Sequence, residues 1–429
     1  MSLTTGQPFP SSGTTNGPRP SDIEALLKPY QNAAAVINTV GQQTRLISLL
    51  QPREANQEVQ NAIITGKSHF PKFTYEPLSI DTAQLRNDLQ RIIGELPTGS
   101  SMDQPTGILT RWHRDLAEEL ILKLKLLDVR GNLIPGEGSE MLQLSATLFG
   151  QPNCEEVDFC REKIQSLLLK KTGHVPSEHQ EEILAAENKP KSSFSAFEVL
   201  EILEKNFQRN WCNGERLPLW NFKLNPNPDV TRSFNSPEDN TFYLGNSSFH
   251  RNRLPRFLRH ELTHIARAVY GLCQPTTLQP LLSRGLAGFE PTEEGLAMTF
   301  EMNGGFERPE PIRMYARVIA CDFAAKRYGP NECFGALRDF GLTPETAYSV
   351  TLGVYRGGGF LKDWLYFAGG QKVERLIKNG VDLSPLFVGK VGTEHLPEIE
   401  VLLESGILQY PHPSNLLPFH KRFCAKLNN

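Results

Sequence analysis

Apolar residues recur at helical spacing through most of the chain, and this periodicity predicts a largely helical protein. The clearest stretch runs from Ile108 to Leu127, where leucines three or four residues apart share one face. We predict an amphipathic helix there. Further helices are predicted in the first half of the chain at 21–27, 33–50, 81–96, 139–148, 157–169, 177–186 and 196–207.

The pattern changes near Trp211. Three segments, 217–224, 230–234 and 241–244, have a β-type composition interrupted by Pro and Asn, which predicts a few short strands. Helical spacing then returns at 255–271, 293–301, 312–327, 332–340, 344–355 and 359–368. We therefore expect an α+β fold that is predominantly helical, with a small sheet.

The same pattern divides the chain into three parts. Residues 1–20 are rich in Ser, Thr, Gly and Pro and are predicted to form a disordered tail. Residues 21–210 are predicted to form a mainly helical N-terminal region. Residues 211–429 hold the predicted strands and the remaining helices, and the candidate chemistry lies in this part.

Composition excludes several classes of protein. The net charge is −3, so the overall balance favours neither nucleic acid nor an anionic membrane as a partner. The chain has no apolar run of 18 residues and no N-terminal secretory signal, which predicts a cytoplasmic protein, with signal-free export as the alternative. Its 7 cysteines are scattered without CxxC pairs and are expected to be reduced thiols.

An HExxH motif, His260 to His264, lies within the predicted helix 255–271. Residues four apart differ by only about 40° around a helix, so His260 and His264 project from one face and can share one Zn²⁺. Glu261 can then accept a proton from the water that attacks the substrate. The motif predicts a zinc hydrolase, with a chance match of five residues as the alternative.

A zinc peptidase of this kind needs a third protein ligand and an open position for water. Glu294 lies 30 positions beyond His264 in a segment predicted to be helical, and can complete a His₂Glu site if the two helices pack together. The alternative is that Glu293 and Glu294 are solvated first-turn residues that the helix dipole favours. The strand 241–244 precedes the HExxH helix, as in metallopeptidases whose edge strand holds an extended peptide.

Segment 288–297 resembles the QEGLA segment of the DUF1704 family, whose animal members are the microtubule-associated tyrosine carboxypeptidases. Segments 356–366 and 386–391 are similar to the family's RG…GGxFTKDxxY and LFxGKI segments. Segments 71–75 and 145–150 resemble its N-terminal PKFxY and SxxLFG pieces. Together these likenesses cover roughly residues 65–415 in the family's order.

The resemblance implies a zincin-like metallopeptidase core in 211–429 and a zinc carboxypeptidase that holds one Zn²⁺ with His260, His264 and Glu294. Glu261 is then the general base, and the substrate is the C-terminus of a protein or peptide such as a tubulin-like tail, with tyrosine or another aromatic residue released. Two departures stand out. The family's usual motif has three residues between the glutamate and the second histidine, whereas this chain has two, and Glu293 replaces the family's Gln.

The shorter spacing bears on substrate choice more than on metal binding. Histidines at i and i+5 lie about 140° apart on a regular helix and need a local bulge to converge, whereas the i and i+4 pair converges without one. The spacing therefore leaves two features open. They are whether His264 aligns with the family's second histidine and whether the pocket beside it has the same shape.

Oxyanion stabilisation requires a hydrogen-bond donor near the metal. Tyr355, Tyr366 and His250 are candidates, and the alternative is that each is an ordinary packed or surface residue.

A carboxypeptidase also needs a cation for the terminal carboxylate of its substrate. Arg356, which precedes three glycines, and Lys362 are the candidates for this role, and the alternative is a buried ion pair with Asp363. Arg259 and Arg267, beside the HExxH motif, are further possibilities.

Three functions agree with these residues. The first is a zinc metallo-carboxypeptidase, and the second is a zinc endopeptidase with the same metal site. The third is a non-catalytic protein that keeps zinc for stability and binds a partner. The presence of Glu261 argues against the third, because a structural zinc site has no need of a general base.

Overall fold

The computed structural model describes residues 18–98, 101, 104–131, 139–169, 193–211, 220–226, 233–236, 239–251, 253–302 and 311–410. The predicted helix 177–186 and all but the last three residues of the predicted disordered tail lie outside these ranges. So do the first residues of two predicted strands, 217–219 and 230–232.

The N-terminal part is helical, as the periodicity predicts. Its helices are α1 (Pro20–Leu27), α2 (Gln31–Gln43), α3 (Leu46–Leu49), α4 (Gln57–Ile64), α5 (Thr82–Glu95), α6 (Pro105–Asp128), α7 (Glu140–Phe149), α8 (Cys154–Leu169) and α9 (Ala196–Trp211).

Helix α6 begins at Pro105, which suits a first turn because that position needs no amide donor. Its buried face carries the leucines that the pattern singled out, including Leu116, Leu120 and Leu124. The single helix predicted over 33–50 is wrong. The chain leaves helical geometry at Thr44, whose buried hydroxyl donates to the carbonyl of Val40, so two helices form instead.

The strands are short and form two small sheets. They are β1 (Ser193–Phe194), β2 (Asn221–Leu224), β3 (Phe234–Ser236), β4 (Thr241–Leu244) and β5 (Phe249–His250). Strand β1 pairs antiparallel with β5. In the other sheet β4 lies in the middle, parallel to β2 and antiparallel to β3. Both edges of β4 are therefore occupied, and the expectation that 241–244 is an edge strand able to add a peptide is wrong.

Helices dominate again after β5. They are α10 (Leu254–Leu272), α11 (Gln279–Arg284), α12 (Glu290–Met302), α13 (Pro311–Ala325), α14 (Pro330–Asp339), α15 (Pro344–Tyr355), α16 (Leu365–Lys378) and α17 (Leu396–Glu404). Short 3₁₀ turns occur at Arg356–Gly358, Leu361–Trp364, Ser384–Val388 and Thr393–His395.

The helix predicted over 359–368 is replaced by a 3₁₀ turn followed by α16. Gly357, Gly358 and Gly359 all have positive φ angles, of 71°, 104° and 124°, and these exclude a regular α-helix between Tyr355 and Leu361. Periodicity also missed α4, α11, the second half of α16 and the whole of α17. The α+β expectation, predominantly helical with small sheets, is confirmed.

Two glycines bring α12 and α16 into close contact. A Cβ atom at Gly369 would lie 1.9 Å from the carbonyl oxygen of Pro291, and one at Gly295 would lie 2.4 Å from the carbonyl oxygen of Gly369. Any side chain at either position would force the helices apart. Since Gly295 follows Glu294 directly, this contact sets the position of the predicted third metal ligand.

The largest apolar cluster joins the two predicted regions. It runs from Leu27 in α1 to Leu408 beyond α17 and includes the buried face of α10. A second cluster lies among α8 and α13–α16. The division of the chain near residue 211 remains a prediction. No described helix is long and apolar enough to cross a membrane.

Candidate metal centre

Helix α10 presents the HExxH motif over a buried apolar face. Leu254, Leu258, Leu262, Ile265 and Val269 are at most 4% exposed, and they attach the helix to the largest apolar cluster. The helix begins at Leu254 with Pro255 in its first turn. The histidines lie on another face and are only partly covered. Packing therefore fixes α10, and the helical repeat then directs both imidazoles to one side.

His260, His264 and Glu294 converge on one point. The two Nε2 atoms are 3.0 Å apart, and each is 3.6 Å from Oε2 of Glu294. Tetrahedral coordination with bonds of about 2.1 Å would place ligand atoms about 3.4 Å apart. The three atoms thus lie at the separation that a single tetrahedral ion requires, and these residues form a group that could hold a metal ion.

The environment of Glu294 supports this interpretation. Its Oε2 atom is buried and has no hydrogen-bond partner among the described residues. Burial would raise the pKa of this carboxyl, but His264, Lys362 and His260 outweigh burial and lower the pKa to about 2. An ionised oxygen without a donor, between two imidazole nitrogens, fits a cation. The donor set of two imidazoles and one carboxylate suits zinc.

A buried ionic network holds His264. Its Nδ1 atom is 2.8 Å from Oε1 of Glu293, which also lies 3.2 Å from the Lys390 ammonium. Arg267 pairs with the other carboxylate oxygen and donates to three backbone carbonyls in 386–391. Burial would raise the pKa of Glu293, yet the charges of Lys390 and Arg267 and the hydrogen bond with His264 hold it well below its usual value.

A shorter chain of contacts holds His260. Its Nδ1 atom lies 2.6 Å from Oε1 of Glu301, and Oε2 of Glu301 accepts a bond of 2.8 Å from Arg256. Burial would raise the pKa of Glu301, but the hydrogen bond with His260 and the charges of His260 and Arg256 lower it. A carboxylate on Nδ1 fixes the ring so that Nε2 faces the metal position, and it makes the imidazole a better ligand.

Both histidines have raised pKa values. Burial would lower the pKa of His264, but its hydrogen bond with Glu293 and the charge of Glu294 raise it to about 10. The pKa of His260 is also raised, because Glu301 outweighs burial. A divalent cation bound by both Nε2 atoms would compete with protonation of the two imidazoles.

Glu261 is suited to move a proton. Burial raises its pKa, the charges of His260 and His264 lower it, and Glu294 and Glu301 raise it further, with a net rise. Its carboxylate makes no hydrogen bond or ion pair with any residue in the described part of the chain. A carboxyl with a raised pKa next to a metal ligand matches what general base catalysis requires.

Comparison with known proteins places the chain in a family. A family model described as microtubule-associated tyrosine carboxypeptidase matches residues 63–421. The chain belongs to this family. The membership confirms the resemblance inferred from five short motifs, and the match extends over nearly the same range.

The other comparisons add little to the microtubule-associated tyrosine carboxypeptidase match. No curated protein matches the chain significantly. A solved chain from Colwellia psychrerythraea, described as a lipoprotein, is 12% identical with a TM-score of 0.38. The alignment covers 80% of this chain and 66% of that one, just under two thirds. A likeness this weak supports no argument about fold or function.

Lys362 lies close to the centre, in the family's GGxFTKDxxY-like segment. Its ammonium is 2.9 Å from Oε2 of Glu290, which lies one helical turn before Glu294 on α12. Lys362 also helps to lower the pKa of Glu294. It is thus one of the cations close to the metal position.

Arg356 is buried, and its Nη2 atom donates to Oδ1 of Asp363 at 3.3 Å. The structure therefore places Arg356 in the buried ion pair that was the alternative to a substrate role. Of the two further arginines considered, Arg267 belongs to the Glu293 network and Arg259 is buried in α10.

The three candidate oxyanion donors lie in different places. Tyr355 is fully buried, and its hydroxyl donates to the carbonyl of Tyr328 at 2.8 Å, within the second apolar cluster. Burial strongly raises its pKa. The ring of Tyr366 lies under the Arg317 guanidinium. His250 is exposed in β5, opposite Ser193 of β1.

The sequence interpretation missed the residues that support the ligands. Glu293 was considered only as a solvated residue or a replacement for Gln, and Glu301, Arg256 and Lys390 were not considered at all. One signal was available. Glu301 follows Glu294 by seven residues, which is two helical turns, so the two carboxylates share a face of α12.

Proposed function

We propose that this protein is a zinc-dependent carboxypeptidase with a zincin-like core that removes the C-terminal residue of a protein or peptide. The convergence of His260, His264 and Glu294, with Glu261 beside them, carries the proposal. The family's description points to tyrosine as the released residue and to a tubulin-like tail as the substrate.

Bound zinc would supply Lewis acidity toward a water molecule and the scissile carbonyl. His260, His264 and Glu294 would hold the ion and leave one position open. Glu261 would take the proton of the attacking water and deliver it to the leaving amine. Glu293 and Glu301 keep the two imidazoles oriented through their Nδ1 atoms.

A purely structural zinc site fits these residues less well. Structural sites usually have four protein ligands, whereas only three such groups converge here among the described residues. Glu261 also has no hydrogen bond or ion pair in the described part of the chain, so no structural role accounts for it.

Peptide digestion with mass readout tests the proposal. The zinc-loaded protein should release one residue from peptides that end in tyrosine, and Glu261→Gln should lose at least 99% of this activity. Glu404→Gln, an exposed substitution at the end of α17, serves as the matched control. Internal cuts would indicate the endopeptidase, and absence of turnover in a protein with stoichiometric zinc would indicate a binding protein.

A further inference from the structure

Most cations near the metal position are committed to an acidic partner. The pairs are Arg267 and Lys390 with Glu293, Arg256 with Glu301, Lys362 with Glu290, and Arg356 with Asp363. These pairs are well covered, and the side chains of Arg267 and Arg356 are 0% and 3% exposed. A substrate carboxylate would have to displace an existing partner at each of them.

Arg317, on α13, is different. Its Nε atom is 3.5 Å from Oδ2 of Asp363, but its guanidinium donates no hydrogen bond to any residue that the structure describes. The other oxygen of Asp363 already accepts from Arg356. The Arg317 side chain is 22% exposed. Its two terminal nitrogens therefore have no acceptor among the described residues.

The ring of Tyr366 orients this guanidinium. The central carbon of the Arg317 guanidinium lies 4.7 Å from the centroid of the ring. Stacking on an aromatic face holds the planar group in one orientation and costs it little hydration. The two contacts, Tyr366 below and Asp363 at Nε, leave the fork of Nη1 and Nη2 preorganised.

Arg317 contacts the segment that also reaches toward the metal position. Asp363 and Tyr366 belong to the segment that carries Lys362, which reaches Glu290 one turn before Glu294. Burial would lower the pKa of Arg317, but the charges of Asp363, Tyr366 and Glu294 raise it. Glu294, one of the three residues that converge at the metal position, thus acts on Arg317 electrostatically.

We propose that Arg317, stacked on Tyr366, binds the terminal carboxylate of the substrate and so makes the enzyme an exopeptidase. The inference rests on the proposed carboxypeptidase function. A guanidinium presents two parallel N–H donors that match the two oxygens of a carboxylate. Arg317 therefore replaces Arg356 as the residue expected to recognise the chain end, because Arg356 is buried together with its partner Asp363.

Binding by a protein that cannot turn over tests this assignment separately from activity. Zinc-loaded Glu261→Gln is titrated calorimetrically with an octapeptide ending in tyrosine, either with a free carboxylate or as the C-terminal amide. The free acid should bind more tightly. Adding Arg317→Gln should weaken binding of the acid on the order of tenfold to a hundredfold and leave the amide unchanged. Arg317→Lys should retain part of the preference, since it keeps the charge without the fork.

Arg161→Gln, on α8, is the matched control. Arg161 pairs at 3.6 Å with Asp322, which lies on α13 as Arg317 does, and its ion pairs involve neither Asp363 nor Tyr366. It should leave the preference for the acid intact. Thermal unfolding of each variant shows whether α13 remains folded. An acid preference that survives Arg317→Gln, or a parent that binds acid and amide equally, overturns the assignment. Failure of the proposed function would appear instead as absence of residue release by the zinc-loaded wild type.

Discussion

The two proposed histidine ligands are held by the same kind of contact in very different surroundings. On one flank Glu293 is 5% exposed, binds two cations and is connected through Arg267 to the 386–391 backbone. On the other flank Glu301 is 15% exposed and has one cationic partner, Arg256, which is 14% exposed. Both carboxylates orient an imidazole. Only the first is also part of the folded core, so we expect its loss to affect stability and metal affinity together.

The largest expected effect comes from removing the cation on the buried flank. Arg267→Met leaves the Glu293 carboxylate partly uncompensated and three carbonyls without their donor, and should lower the free energy of unfolding by about 3–5 kcal/mol. Arg256→Met, on the less buried flank, should lower it by about 1–2 kcal/mol. Urea unfolding of both variants without metal measures the difference. Equal losses would contradict the comparison.

A histidine without a carboxylate partner sharpens the contrast. His113 is fully buried on α6, its Nδ1 donates to the carbonyl of Leu109, and burial lowers its pKa to about 4. Its pKa is lower in the folded than in the unfolded state, so acid favours unfolding. The contribution of neutral His113 to the free energy of unfolding is complete above the ordinary pKa of about 6.5. It is lost as the pH falls toward 4.

The loss attributable to His113 should reach roughly 2–3 kcal/mol at pH 4, since each unit of pKa shift corresponds to about 1.4 kcal/mol. Comparing urea unfolding at pH 7 and pH 4 for wild type and His113→Asn isolates this contribution. The variant should lose less stability between the two pH values than the wild type does. An identical pH dependence in both proteins would mean that His113 does not titrate in this range.

Metal affinity should also distinguish the flanks. Removing the carboxylate that supports a histidine ligand typically weakens metal binding by about 10–100-fold. We expect Glu293→Gln to fall near the upper end, because a neutral side chain also leaves Arg267 and Lys390 without their buried partner. Glu301→Gln should fall near the lower end. Competition with a chelator measures both, and a larger effect at Glu301 would reverse the proposed order.

The smallest effect is expected at Lys390. Its ammonium lies 3.2 Å from Glu293, but Arg267 still pairs with the same carboxylate when Lys390 is removed. Lys390→Met should therefore lower the free energy of unfolding by about 1 kcal/mol and change zinc affinity less than fivefold. Adding Arg267→Met should then cost more than the sum of the single changes, which a double-mutant cycle in urea measures.

Local patterns predicted the helix with the HExxH motif well and the neighbouring connections poorly. Leu254–Leu272 matches the predicted helix 255–271 because apolar spacing and a first-turn proline are properties of a few consecutive residues. The helix predicted at 359–368 is wrong at its beginning, because the three glycines at 357–359 have positive φ angles that interrupt helical geometry. Helix α17 was missed because its apolar residues, such as Ile399 and Leu402, are buried against elements distant in sequence.

The sequence alone determined the face that His260 and His264 share, since the helical repeat puts residues four apart on one side. With the family motifs it also singled out Glu294. Only the tertiary structure decided what surrounds these ligands. Glu293 meets Arg267 and Lys390, Glu301 meets His260, and Arg317 stacks on Tyr366, because α10, α12, α13 and α16 pack together. Such pairs join residues 26–97 positions apart, and no local periodicity specifies which distant helix will bring a charge to a ligand.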